Sequence, residues 1–217
     1  MKPKEGRIKE LLRERGLDGA IVSSPENFHY VTGFGGHQHT VSRQPGFTLA
    51  VMRSDDKAPT HITTMDFEAA TFRIKSAGLG FVVDPYDTWV GLKTWPEISQ
   101  GAVLPDKTRM ESSADKLEQF VKACDLADKR IGVEMDYLTV PYYNMICEKF
   151  PEAQLVDISD LFVYARSIKT EEEIKMFREL CRIADHGFTQ VSRMAGIGVS
   201  EKEMSDCFRA VSYTHLR

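Results

Sequence analysis

For about 160 residues the chain alternates short apolar runs with helical apolar stripes, and after Thr170 the runs cease. The runs Gly19–Val22, Phe47–Met52, His61–Thr64, Phe81–Val83, Ile131–Glu134 and Leu155–Ile158 are too short for helices and read as strands. Between them, Ile8, Leu11 and Leu12 mark a first helix stopped by Gly16, and Pro25 to Tyr30 gives one or two turns closed by Thr32-Gly33. Asp66 to Lys75 reads as a helix opened in N-cap style and ended at Gly78. Ser113–Ala127 carries Leu117, Phe120, Val121 and Cys124 on one face, and Val140–Phe150 turns Tyr142, Met145 and Ile146 inward. Alternation of this kind predicts an α/β domain with a mixed, partly parallel sheet flanked by helices.

From Thr170 onward the pattern predicts two helices, each opened by a capping box, Thr170-x-x-Glu173 and Ser200-x-x-Glu203. One has Ile174, Phe177, Cys181, Ala184, Phe188 and Val191 along a face, and the other Met204, Cys207, Phe208 and Val211. Both stripes need a partner. The 47 residues after Thr170 are marginal for independent folding, which is difficult below about 40–60 residues. The expected organisation is therefore a domain over 1–162, a linker over 163–170, and the opening of an incomplete second domain over 171–217. Val211 to Arg217 carries no glycine cap or proline stop, an ending expected of a cut reading frame or of foreign sequence.

Composition narrows the functional classes. With 42% hydrophobic and 28% charged residues the chain has material for a packed core, and a net charge of −4 without basic blocks argues against nucleic-acid or anionic-membrane binding. Neither an apolar span of ~20 residues nor a signal-peptide core is present, so a cytoplasmic protein is expected. Cys124, Cys147, Cys181 and Cys207 are scattered without a C-x-x-C pair and are expected as reduced core residues.

The segment Phe34 to Gly46 is rich in Gly and His, and a loop of over a dozen residues in a compact domain is more often functional than not. Within it His37-Gln-His39 has a metal-like i, i+2 spacing but no third ligand nearby. Asp84, Asp87, Glu134, Asp136, Asp157 and Asp160 follow strand ends, as turn and N-cap residues do, rather than forming catalytic pairs. Trp89 and Trp95 suit an interface or cover for the sheet, and His186 lies close to an apolar helix face. Serine-nucleophile and phosphate-loop motifs are absent.

Three stretches together resemble the creatinase, prolidase and aminopeptidase P family. They are Gly16-Leu-Asp-Gly-Ala-Ile-Val with Pro25-Glu-Asn-Phe-His-Tyr-Val-Thr-Gly33, then Ile131-Gly-Val-Glu134, then Val156-Asp157 through Leu161 with Ala165-Arg-Ser-Ile-Lys-Thr-Glu-Glu-Glu-Ile174. The resemblance implies an N-terminal creatinase-like domain followed by the first two helices of a pita-bread (α+β) catalytic domain. It implies a homodimer acting on a proline-containing peptide or a small carboxylate. No catalytic or metal residue is assigned to this chain. In the peptidase branches two divalent ions (Mn, Co or Zn) are held by two aspartates, a histidine and two glutamates of the other domain, where they would activate water and polarise the carbonyl.

By position Arg43-Gln-Pro-Gly46 resembles an R-x-x-G element whose arginine reaches the neighbouring subunit and clamps a substrate carboxylate, a task suited to its planar fork. Where creatinases carry an aromatic two residues earlier this chain has Val41. His39 is either a donor to substrate at the subunit interface or a structural residue, and Glu134 and Arg166 resemble positions tying the domain to the linker. The leading expectation is thus the N-terminal domain of an Xaa-Pro aminopeptidase- or dipeptidase-like hydrolase, inactive by itself. The alternatives are a creatinase-like amidinohydrolase or lyase, and a non-catalytic interaction module.

Overall fold

The computed structural model describes residues 3–88, 95–101 and 111–215. These pack into two compact units, Met1–Ala165 and Arg166–Arg217.

The first unit is built on a six-stranded sheet of order β4-β3-β2-β1-β5-β6, with β1 at Gly19–Val22, β2 at Leu49–Arg53, β3 at His61–Thr63, β4 at Val82–Val83, β5 at Arg130–Val133 and β6 at Gln154–Asp157. Antiparallel pairing joins β1 to β2 and β2 to β3; β3–β4, β1–β5 and β5–β6 are parallel. The sheet is mixed, as expected. Alternating residues serve opposite faces. Ala20, Val22, Ala50 and Met52 point to one core with Phe28, Phe72 and Phe162, while Ile21, Leu49 and Val51 point to the other with Leu117, Phe120 and Ile131.

The helices covering the first face are α1 (Glu5–Glu14), α2 (Pro25–Thr32), α4 (Ala69–Ser76, after a 3₁₀ turn at Asp66–Glu68) and α8 (Ser159–Ser167). The second face is covered by α6 (Ser113–Ala123) and α7 (Val140–Lys149). A short α3 (His37–Ser42) follows α2, and α5 spans Trp95–Ser99. One expectation is corrected here. The segment 34–46, read as loop, holds α3, whose short polar residues have hydroxyls that bond back into the helix, Thr40 to the Gly36 carbonyl (2.9 Å) and Ser42 to that of Gln38 (2.8 Å). Much of the expected linker 163–170 is helical, because Leu161, Phe162 and Ala165 give α8 a buried face.

In the second unit α9 (Glu171–Met194) and α10 (Glu201–His215) form a helical hairpin. The Thr170–Glu173 box is closed in both directions, and Ser200 and Glu203 bond each other likewise. A Cβ on Gly187 would stand 2.8 Å from the Phe208 ring, so glycine permits the close approach. Among the described residues of α9 only Ile183 and Gly187 are buried. A helix with one neighbour buries one narrow strip, which leaves Phe177, Cys181 and Phe188 of the expected stripe exposed. Cys181 is therefore not a core residue; Cys124 is buried, and all four cysteines are free thiols. No helix among the described residues is long and apolar enough to cross a membrane.

Candidate functional site

The carboxyl ends of the parallel pair β1 and β5 lie side by side, and the chain leaves them through Ser23-Ser24 and Glu134. Glu134 is fully buried. Its Oε2 accepts from the backbone N–H of Ser23 (2.5 Å) and Ser24 (2.9 Å), and its Oε1 from the Ser24 hydroxyl (2.5 Å) and the Asn27 amide (2.6 Å). One carboxylate thus satisfies otherwise orphaned donors at the start of α2 and ties that helix to β5. Ser24 is the N-cap, with Pro25 at the first helical position where no N–H is needed.

The other residues of the α2 motif serve the fold as well. Phe28 lies in the core, the Tyr30 hydroxyl donates to the Ala165 carbonyl (3.1 Å), and the Thr32 hydroxyl bonds the Phe28 carbonyl (2.8 Å). Gly33 ends the helix at φ +82°, in the left-handed region. In the Ile131-Gly-Val-Glu134 motif a Cβ on Gly132 would meet Ile158 at 2.7 Å, so only glycine lets the chain entering α8 pack down on β5.

His39 and Arg43, the two residues expected to bind substrate, sit on α3 but in opposite environments. His39 is 1% exposed. Its Nε2 bonds the Ser23 carbonyl (2.8 Å), its ring meets Phe28 edge-on (centroids 5.4 Å apart), and Nδ1 has no hydrogen-bond partner among the described residues. A carbonyl only accepts, so Nε2 carries the proton. Burial lowers the proton affinity of the ring and keeps it neutral. In this chain His39 pegs α3 to the end of β1.

Arg43 caps α3 in the left-handed conformation, φ +50°, with its backbone N–H donating to the His39 carbonyl (3.2 Å). Its guanidinium is about half exposed and grips Glu26 of α2 through both nitrogens, Nη1 to Oε1 at 2.5 Å and Nη2 to Oε2 at 3.2 Å. That pair raises the arginine's already high proton affinity. Tyr137, just beyond Glu134, senses Arg43, Glu26 and Glu134; burial pushes its hydroxyl up to about 12, and the oxygen has no hydrogen-bond partner among the described residues. Gly46 closes the R-x-x-G element at φ +84°, flat against Tyr142, where a Cβ would stand 2.2 Å from the ring. Sequence reasoning missed Glu26 and Tyr137. An acidic residue in the first turn of a helix is common, and nothing in the spacing links it to an arginine 17 positions on.

The remaining candidates stand apart from this cluster. His37 is exposed while His39 is buried, so they do not converge, and among the described residues no group of three or more His, Cys, Asp or Glu could hold a metal ion. Asp84 pairs with Lys116 (2.9 Å), Asp160 with Arg15 (2.6 Å), and Asp157 accepts from Ser159 (2.5 Å). Asp87 bonds the backbone of Glu111, and the Asp136 N–H donates to the Ser159 hydroxyl (3.1 Å). Trp95 is 77% exposed, Trp89 lies outside the described residues, and His186 is exposed on α9.

The sequence profile of the Creatinase/Prolidase N-terminal domain matches residues 6–168, the whole of the sheet and its helices. The chain belongs to this family. Among creatinase/prolidase relatives, the uncharacterized peptidase YqhT of Bacillus subtilis is 28% identical over 196 residues, covering 90% of this chain and 44% of its own length. The creatinase of Bacillus sp. strain B-0618 is 20% identical over 199 residues, 92% of this chain and 41% of that protein. The solved Xaa-Pro dipeptidase from Bacillus anthracis superposes with a TM-score of 0.67 at 20% identity, over 96% of this chain and 47% of that one. The chain thus spans less than half the length of each of these proteins. The creatinase/prolidase motifs of β1–α2 and β5 are, in this structure, joints of the fold.

Proposed function

We propose that this chain is the N-terminal domain of a metal-dependent Xaa-Pro aminopeptidase- or dipeptidase-like hydrolase, giving homodimer contacts and restricting the substrate. The match over residues 6–168, with relatives that bear peptidase names and are more than twice as long, carries this reading. In this reading the two divalent ions and their ligands belong to the catalytic half of such a protein, where they would activate water and polarise the carbonyl. A cytoplasmic location and a proline-containing peptide substrate belong to the same proposal.

The role open to this chain's own residues is recognition. Arg43 already holds a carboxylate, that of Glu26, in the two-pronged geometry a substrate carboxylate would take, and it does so from a half-exposed position anchored by His39. Substrate would displace Glu26 from the fork. The pure 217-residue chain is expected to show no Mn²⁺-dependent hydrolysis of Ala-Pro, and measurable turnover would refute the assignment. In the complete enzyme Arg43→Ala is expected to raise KM at least tenfold with kcat little changed; an unaltered KM would remove the clamp.

The creatinase relative and the Arg43-x-x-Gly46 element favour a second reading, a metal-independent amidinohydrolase or lyase on a small carboxylate. Activity of the complete enzyme that survives exhaustive chelation would select it.

A further inference from the structure

We propose that the groove between α2, α3 and the end of α4 is a binding site for a small amphipathic carboxylate, with Lys75 as its counter-ion. The groove follows from the turn Gly33-Phe-Gly-Gly36. A Cβ on Gly36 would lie 2.5 Å from the Glu68 carboxylate and 2.9 Å from the Phe72 ring, so the turn is drawn down against α4. Beside it opens a hollow of about 1040 Å³, the size of a small-molecule site.

Its lining divides by chemistry. Phe34, Val41 and Leu79 supply an apolar floor, and His29, His37 and Lys75 supply the polar rim. Among the described residues that line it none is acidic. Lys75 Nζ donates to the Gly35 carbonyl (3.1 Å) and forms no ion pair among the described residues, which leaves two ammonium N–H groups for a ligand. The nearby carboxylate of Glu68 is engaged behind the turn, accepting from the Gln38 N–H (3.0 Å). Burial foremost, with the charge of Lys75 adding to it, lowers the proton affinity of His29. Val41 is 64% exposed, an apolar surface left open among the described residues. One negative oxygen pair on Lys75 and a short hydrocarbon body on the floor match this arrangement. The site is separate from the Arg43–Glu26 pair and does not depend on the peptidase reading.

The test uses the complete 217-residue chain, labelled with ¹⁵N, titrated with hexanoate and with hexanamide. Expected are saturable shifts of the Gly33, Gly35 and Gly36 amides and of the His29 and His37 rings with hexanoate, and binding at least tenfold weaker with hexanamide. Lys75→Gln should weaken hexanoate at least fivefold while leaving the spectrum of the sheet unchanged. Absence of saturation, equal binding of acid and amide, or an unaffected Lys75→Gln variant would overturn the proposal. So would broadening of the same resonances with protein concentration alone, which would assign the groove to contact between copies.

Discussion

Glu134 is the residue on which the β1–α2 junction depends. Replacing it with alanine leaves two backbone N–H groups, a hydroxyl and an amide without an acceptor in a dry interior, and an unsatisfied buried donor costs about 1–3 kcal/mol. Glu134→Ala is expected to lower unfolding stability by about 3 kcal/mol or more, read as a shift of the urea midpoint. Glu134→Gln should recover only part of it, because its NH₂ faces donors. His39 adds a dependence on pH. Burial lowers its proton affinity below the ordinary 6.5; Glu68 and Glu26 oppose that shift and Arg43 reinforces it. His29 and His61 are lowered as well. Below about pH 6.5 the unfolded chain binds protons the folded one refuses, so stability falls as the solution is acidified toward the folded-state values. His39→Gln should be less stable at pH 7.5 yet show a shallower decline to pH 5.5 in urea titrations; an unchanged slope would place the effect on the other histidines.

Among elements, the joint between β5 and the start of α8 is tightest at Gly132. A methyl group there collides with Ile158, and overpacking a core costs roughly 1–3 kcal/mol. Gly132→Ala should destabilise by that amount, and Ile158→Val should relieve part of it in a double-mutant cycle; additive losses would deny the contact. The same joint shows what the sequence made legible. Every strand was visible from its apolar run to within two residues at either end, most plainly the central β1 and β2, where burial on both faces demands a continuous hydrophobic string. Both capping boxes of the last helices were visible for the same local reason. Helix α3 was not, since six residues of His, Gln, Thr, Val and Ser have no apolar stripe and the helix is held by tertiary contacts, His39 to Ser23 and Gln38 to Glu68. Arg43 was legible only through resemblance, and its pairing with Glu26 is a product of the fold that positions α3 beside α2.

At the scale of the molecule the two units differ in what protects them. The sheet unit has two closed cores, whereas the α9–α10 hairpin has one strip of contact around Gly187 and Phe208 and exposes Phe177, Leu180 and Phe188. Local stability follows buried contact. Hydrogen exchange should therefore run at least a hundredfold faster in the middle of α9 than in β1, β2 and β5. Equal protection would mean that the exposed stripe is covered in solution, by another copy or another chain.

The place of β1 in the sheet has a consequence for synthesis. Its antiparallel neighbour β2 emerges from the ribosome soon after it, but its parallel neighbour, paired through Gly19 and Ile131, is made 112 residues later. At about 5–20 residues per second the nascent sheet waits some 6–20 s with the central strand open along one edge. During that interval β1 is a template for any extended segment, its own or a neighbouring ribosome's. Glu134 arrives just after β5 has closed the edge, and its carboxylate then fastens the strand that had waited longest.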